Sequence, residues 1–464
     1  MQRTYRVFNV IFLICFFCAA AFLLLRNGFV LALGFLFLTL YLLHRFDIPK
    51  FTLWLLVGGL LIRFAVIWIL HPPIESDFDI LYTAAHSLME GDLSFSTTAY
   101  FSLWAYQSAY VAWEALWLSI WDNPIFLEVV HAVLSAGTVC FLYRIVLPHV
   151  RQRSAQAAAL LLTVFPFATT LPTVLTNQIP AAFFLVFGIW LLVCPDTDRL
   201  RFWRFPLAGL SLQIGNLLRP EGIIVIVAIL AWAFFTLLRK PKTYKRLLCG
   251  ILLLLAVYYA AGFGADGLTK ATGLNANGLQ NCYPGWKFVC GLNHETRGGY
   301  AGEDWDMIGG TLDENHMPTA ETERVQKELI SQRLNVSAKA LFKLLYYKAD
   351  VLWTRSGLSW AFGHTQGTPS FVIEQAYRII QDFDRALFFL ALALATLGLW
   401  KKGGRSPDAY LLYFVFFAAF CAFIPIEVQP RYAYMPQLFI FAASAFGLDW
   451  LIDRTAGKGA ILCP

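Results

Sequence analysis

Long apolar runs separated by short polar turns occupy most of the chain. A helix needs about twenty apolar residues to cross a bilayer. The runs predict about twelve spans: Val7–Leu25, Phe29–Leu43, Phe51–Leu70, Pro124–Val146, Ala155–Leu171, Ile179–Val193, Phe205–Leu217, Ile223–Leu238, Leu247–Phe263, a run from Arg385 to Trp400, Tyr410–Phe423 and Tyr434–Leu451. The first is read as a retained signal-anchor, since no small-residue cleavage site follows it.

Two stretches break this pattern. Residues 80–123 are too polar for a span yet rich in Trp and Tyr, which predicts two interfacial helices broken at Gly91-Asp92. Residues 265–367 are rich in Gly, Asn, Asp and Glu, which predicts a small external cap of α or α/β type. Within it, Glu321–Leu345 has helical periodicity and Leu341–Ala361 reads as an amphipathic interfacial helix. The fold class is therefore an all-α polytopic membrane protein. Its parts are an N-terminal transmembrane module (1–264) with a first external loop (about 71–123), the cap (265–367) and C-terminal transmembrane helices (368–464).

Composition agrees with this reading. The 464 residues are 58% hydrophobic and 14% charged, against about 25% charged in soluble domains. The net charge of +6 is explained by orientation rather than nucleic-acid binding. Basic clusters at His44–Lys50, Arg151–Arg153, Arg199–Arg204, Arg239–Arg246, Lys401–Arg405 and Arg454–Lys458 fall in alternate turns. The positive-inside rule makes those turns and both termini cytoplasmic. Most of the nine Cys lie in apolar runs as packing residues. Cys282 and Cys290 lie in the cap, where a disulfide and free thiols are both open.

Orientation places the polar candidates on the external face. Glu75-Ser76-Asp77-Phe78-Asp79 follows the third span, and a carboxylate there suits general-base work on a hydroxyl. A helix cap ahead of Ile80 is the structural alternative for Asp77. Arg219 and Arg431, at external span ends, suit a bidentate grip on phosphate. For Arg219, an ion pair with Glu221 is the alternative. Glu427 could orient Arg431 or contact acceptor. Asn177 and Gln178 form a turn whose amides suit sugar hydroxyls, an ordinary turn being the alternative. Glu303, Asp304 and Asp306 read as a solvated acidic turn. Cys282, Cys290 and His294 match no standard zinc spacing, and no phosphate-binding glycine loop is present.

Several short motifs together resemble the GT-C superfamily of integral-membrane glycosyltransferases, in particular bacterial relatives of protein O-mannosyltransferases and the lipid A aminoarabinose transferase. They are Ser76-Asp77, Ala84-Ala85, Gly91-Asp92, Trp104-Ala105-Tyr106-Gln107, Leu218-Arg219-Pro220, Gly291-Leu292-Asn293-His294-Glu295 with Gly298-Gly299, and Arg431-Tyr432 with Pro436. The resemblance implies transfer of a sugar from a polyprenyl-phosphate donor to an envelope glycan, lipid or protein acceptor, with inversion and with the first-loop acid as base. Asp77 and Asp79 compete for that role, because the motif is Glu-Ser-Asp-Phe-Asp rather than adjacent acids. Arg219 and Arg431 would bind the donor phosphate; Gln107, Asn177, Glu427 and Tyr432 would contact substrate. Asn177-Gln178 stands where many relatives carry an acid. No metal or other cofactor is expected, since arginines can match one phosphate. A pyrophosphate-dependent glycan ligase or polymerase and a lipid flippase are the rivals, the second disfavoured by the absence of a visible repeat.

Overall fold

The computed structural model describes residues 28–193, 202–239, 244–362, 370–402 and 407–459. The expected span Val7–Leu25 lies outside them. Each of the other expected spans coincides with helix. Seven helices are long and apolar enough to cross a membrane, or eight if the bent pair Gln152–Thr163 and Pro166–Thr173 is one span. Gln178–Val193 and Asp408–Phe423 are shorter apolar helices. The chain is a multi-pass membrane protein.

Residues 155–171, expected as one straight span, bend by 59°. The physical reason is proline: Pro166 ends the first helix, and Pro172 cannot donate to the Ala168 carbonyl. Backbone freed inside a bundle needs protein partners. The Phe167 N–H donates to Asp384 at 2.8 Å, and the Ser135 hydroxyl donates to the Ala168 carbonyl at 3.2 Å. Buried Arg63 donates in turn to the Ser135 hydroxyl at 2.9 Å. The break steers the chain into Thr176-Asn177-Gln178, and all three side chains are buried.

Ser370–Lys402 and Tyr434–Gly459 form the most extensive helix pair, and glycine permits their approach. A Cβ at Gly447 would lie 2.0 Å from the Leu394 carbonyl oxygen, and one at Gly398 would lie 2.6 Å from the Phe446 Cβ. Small residues at such crossings let dispersion do what the hydrophobic effect cannot do in lipid.

The first loop holds more pieces than the two expected helices. Asp77–Met89 ends at Gly91, whose φ of +81° needs glycine. Short helical turns at Ser94–Thr97, Ala99–Leu103 and Ala105–Gln107 lead into Ser108–Leu118. The cap is helical: Trp286–Gly291, Gly302–Gly309, Ala320–Leu334 and Ala338–Ala349. Among its described residues the β structure is one isolated bridge, Leu312 to Pro318. The membrane helix Tyr244–Ala271 reaches past residue 264. The periodic stretch after Glu321 is two helices, separated at Asn335.

The cap docks on the first loop. Leu103 shares a small core with Tyr283, Trp286, Val289, Cys290 and Ile308. The Cys282 N–H donates to the Leu103 carbonyl at 2.9 Å, and the Tyr106 N–H to the Gln280 carbonyl at 3.2 Å. Asp304, expected in a solvated turn, is buried. It accepts from Arg333 at 2.6 Å and from Asn293 at 3.0 Å. Cys282 and Cys290 are free thiols.

Candidate active site

A cavity of about 520 Å³ opens between the first loop, the cap and the segment before the last helix. Ser76 and Asp77 form one side of it. Ser76 has φ 59° and ψ −137°, a region that few residues other than glycine occupy. This strained turn lets the helix begin at Asp77 itself. Asp77 is therefore not the cap expected as the structural alternative. It lies in the first turn, where the helix dipole favours an anion.

Asp77 accepts from Arg431 Nη2 at 3.3 Å. The Asp77 side chain is 45% exposed and that of Arg431 only 7%. The carboxylate thus faces the cavity, with the guanidinium behind it. Arg431 also donates to Gln429 Oε1 at 2.7 Å, and its guanidinium lies 4.9 Å from the Phe78 ring and 5.4 Å from the Trp360 ring. The Gln178 amide donates to the Arg431 carbonyl. Asp79 is exposed and is not among the residues that line the cavity. The structure separates the two competing acids because residues two positions apart on a helix do not face the same side.

A second cation, Lys287, lines the cavity. It is paired with Glu427, whose other partners are the Tyr432 hydroxyl at 3.0 Å and the Gln429 amide at 3.0 Å. The third, Arg219, is paired with Glu221 and donates to Asn177 Oδ1 at 3.1 Å. Asn177 donates to Gln107 at 3.3 Å, and Gln107 to the Tyr100 hydroxyl at 3.0 Å. The ring of Tyr432 sits among all three cations: Arg219 at 5.0 Å, Lys287 at 5.6 Å and Arg431 at 5.8 Å from its centroid.

The expected residues, apart from Asp79, thus form two hydrogen-bonded networks, one through Arg219, Asn177 and Gln107 and one through Asp77, Arg431, Glu427 and Tyr432, which meet where Arg219 lies over the Tyr432 ring. Asp77, Gln107, Glu427 and Tyr432 line the cavity, while Arg219, Arg431 and Asn177 support that lining from behind. Sequence reading missed Lys287 and the aromatic residues of the cap. Their one signal was a lone cation in an aromatic turn, Tyr283-Pro284-Gly285-Trp286-Lys287-Phe288. Among the described residues, no group of three His, Cys, Asp or Glu side chains could hold a metal ion.

Cap contacts position Glu427. Its N–H donates to the Lys287 carbonyl at 2.7 Å, and the Val428 N–H to the Gly298 carbonyl at 2.9 Å. The buried Lys348 ammonium donates to the carbonyls of Gly291, Ile424 and Ile426 at 2.8, 2.6 and 2.8 Å. Burial alone would raise the Glu427 pKa, yet the adjacent Lys287 and the donors Gln429 and Tyr432 hold it below the usual glutamate range. Burial would lower that of Lys287, but Tyr432 and Glu427 raise it.

The signs fix the pH window. A depressed carboxylate stabilises above its unfolded pKa of about 4.3 and loses that contribution as pH falls below. A raised lysine stabilises below about 10.4 and loses that contribution as pH rises above. The pair therefore stabilises evenly from about pH 5 to 10. Glu427 is buried while Lys287 is partly exposed, so removing the lysine costs about 1–3 kcal/mol through the carboxylate left short of a partner. Lys287→Met is expected to lower the melting temperature in detergent, and adding Glu427→Gln to restore much of it. Equal melting of wild type and the single variant would refute the pairing.

Fold and site together describe a membrane protein with a polar cavity beneath a helical cap. Residues 99–259, about a third of the chain, match the family model described as dolichyl-phosphate-mannose-protein mannosyltransferase. In fold, the chain is similar to the archaeal oligosaccharyltransferase AglB from Archaeoglobus fulgidus in complex with an inhibitory peptide and a dolichol-phosphate. The TM-score is 0.51 and the identity 17%, over 90% of this chain and 52% of that one. The same archaeal enzyme tethered to an acceptor peptide gives a TM-score of 0.50 at 15% identity, over 89% and 51%. The chain thus spans about half the length of the archaeal enzyme. ArnT from Cupriavidus metallidurans bound to undecaprenyl phosphate is a weaker likeness, with a TM-score of 0.41 at 11% identity, over 89% and 79%. No curated protein matches the chain significantly. The chain resembles GT-C membrane glycosyltransferases, as its motifs implied: a third of it matches a family model, and nine-tenths of it superposes on a solved fold.

Proposed function

We propose that the chain is a glycosyltransferase that takes a sugar from a polyprenyl-monophosphate carrier and places it on an envelope acceptor at the external face. The family match and the shared fold support the reaction class. The observation that carries the reading is the gathering of three cations around Tyr432, with Asp77 at the cavity surface. A phosphate entering the cavity meets Lys287 first, with Arg431 one layer behind. Asp77 then accepts the proton of the acceptor hydroxyl while that oxygen attacks the anomeric carbon. The carbon–oxygen bond to phosphate breaks, and the leaving phosphate keeps the electron pair beside the cations. Attack opposite the leaving group inverts the anomeric centre.

Each cation already has a carboxylate partner. Donor phosphate therefore competes with Asp77 for Arg431, so donor binding releases the base and precedes acceptor. The external cavity, about twelve spans and cytoplasmic termini belong to the same proposal, resting on the distribution of basic turns. Proteoliposomes supplied with polyprenyl-phospho-sugars and envelope extract test it. Release of polyprenyl monophosphate, with donor binding first, is expected. Release of diphosphate would favour a ligase instead, and lipid movement without turnover a flippase.

A further inference from the structure

We infer that the acceptor is a neutral glycan, held by an aromatic wall that the cap and the first loop build into the cavity that Asp77 lines. This inference rests on the proposed glycosyltransferase reading and adds the acceptor class to it. The wall is made by Trp286, Tyr300 and Trp305 of the cap and Trp104 of the first loop. Trp104 and Trp305 stack with centroids 5.9 Å apart and planes at 29°. Trp286 meets Trp305 edge-on at 5.5 Å and Tyr300 at 5.9 Å. The rings brace one another into a fixed surface. Tyr300 is 56% exposed, and Trp104 and Trp305 are partly exposed.

Exposed aromatic faces bordering a polar cavity fit a ligand that is apolar on one face and polar at its rim. A pyranose ring has that form, with axial C–H bonds on its faces and hydroxyls around its edge. The rim partners are present: Gln107, Gln429, Ser76 and Tyr106 line the same cavity. The charges point to a neutral ligand. Asp77 is paired with Arg431 and Glu427 with Lys287, so the cavity's ionised groups cancel. Any cation freed from its carboxylate is needed for the donor phosphate.

The purified full chain is applied to an array of neutral oligosaccharides, anionic oligosaccharides and unglycosylated peptides. Binding to neutral members is expected, with at least a tenfold loss in Trp305→Ala and recovery in Trp305→Phe. Preference for anionic members or peptides, binding unchanged in Trp305→Ala, or no retained glycan would overturn the inference. Circular dichroism and melting of Trp305→Ala separate a lost stacking surface from a lost fold. If Trp305→Ala is misfolded, Tyr300→Ala at the exposed end of the wall takes its place under the same criteria. Co-purified lipid reports on the donor independently, so its result separates failure of this inference from failure of the enzyme reading.

Discussion

Asp77→Asn is expected to lower sugar transfer in membrane vesicles by about 10²–10⁴-fold, the range that one positioned base contributes. The amide keeps the shape of the carboxylate and can still touch Arg431, so insertion and melting should change little. The residue is 45% exposed at the cavity, which limits its share in stability. Asp79→Asn is the matched control, because Asp79 is exposed and outside the cavity lining. Its transfer rate should stay within about twofold of wild type, as expected of a surface change with no partner to lose. Equal losses in the two variants, or none in Asp77→Asn, would remove Asp77 from the role of base.

The second large effect is expected at Arg431. Removing one group that stabilises developing charge typically costs about 10²–10³-fold in turnover. Arg431→Gln should reach that range, with weakened donor binding, because it withdraws the charge behind the cavity that the leaving phosphate would meet. Arg431→Lys should recover little, since an ammonium cannot serve Asp77 and Gln429 from one planar fork. Arg219→Gln should cost less: Arg219 reaches the cavity through Asn177, Gln107 and the face of Tyr432. Initial rates against donor concentration, at saturating acceptor, separate the binding and turnover effects.

The membrane segments were legible because the bilayer imposes one length and one composition on them, and basic turns add direction. The break after Phe165 was not, since an apolar run with two prolines has the same hydropathy as a straight span. Asp77, Arg219 and Arg431 stood out as charges beside apolar runs, which need a partner or a function. Lys287 did not, because its partner Glu427 lies 140 positions away and no local spacing encodes that pair. The aromatic wall was hidden for a similar reason. Trp104 sits between two short helical turns and Trp305 in an eight-residue helix, both too short for a periodic signal, and only the docked cap brings them together. Asn177 and Gln178 read as a turn open to sugar hydroxyls or of no special role, yet burial commits them to Arg219 and Arg431.

The central claim is that this cavity serves a lipid carrying one phosphate. Mass spectrometry of lipid extracted from the purified chain tests it most directly. Polyprenyl monophosphate, free or bearing a sugar, is expected with wild type and should be strongly depleted in Arg431→Gln. Polyprenyl diphosphate, or no polyprenyl lipid at all, would contradict the account.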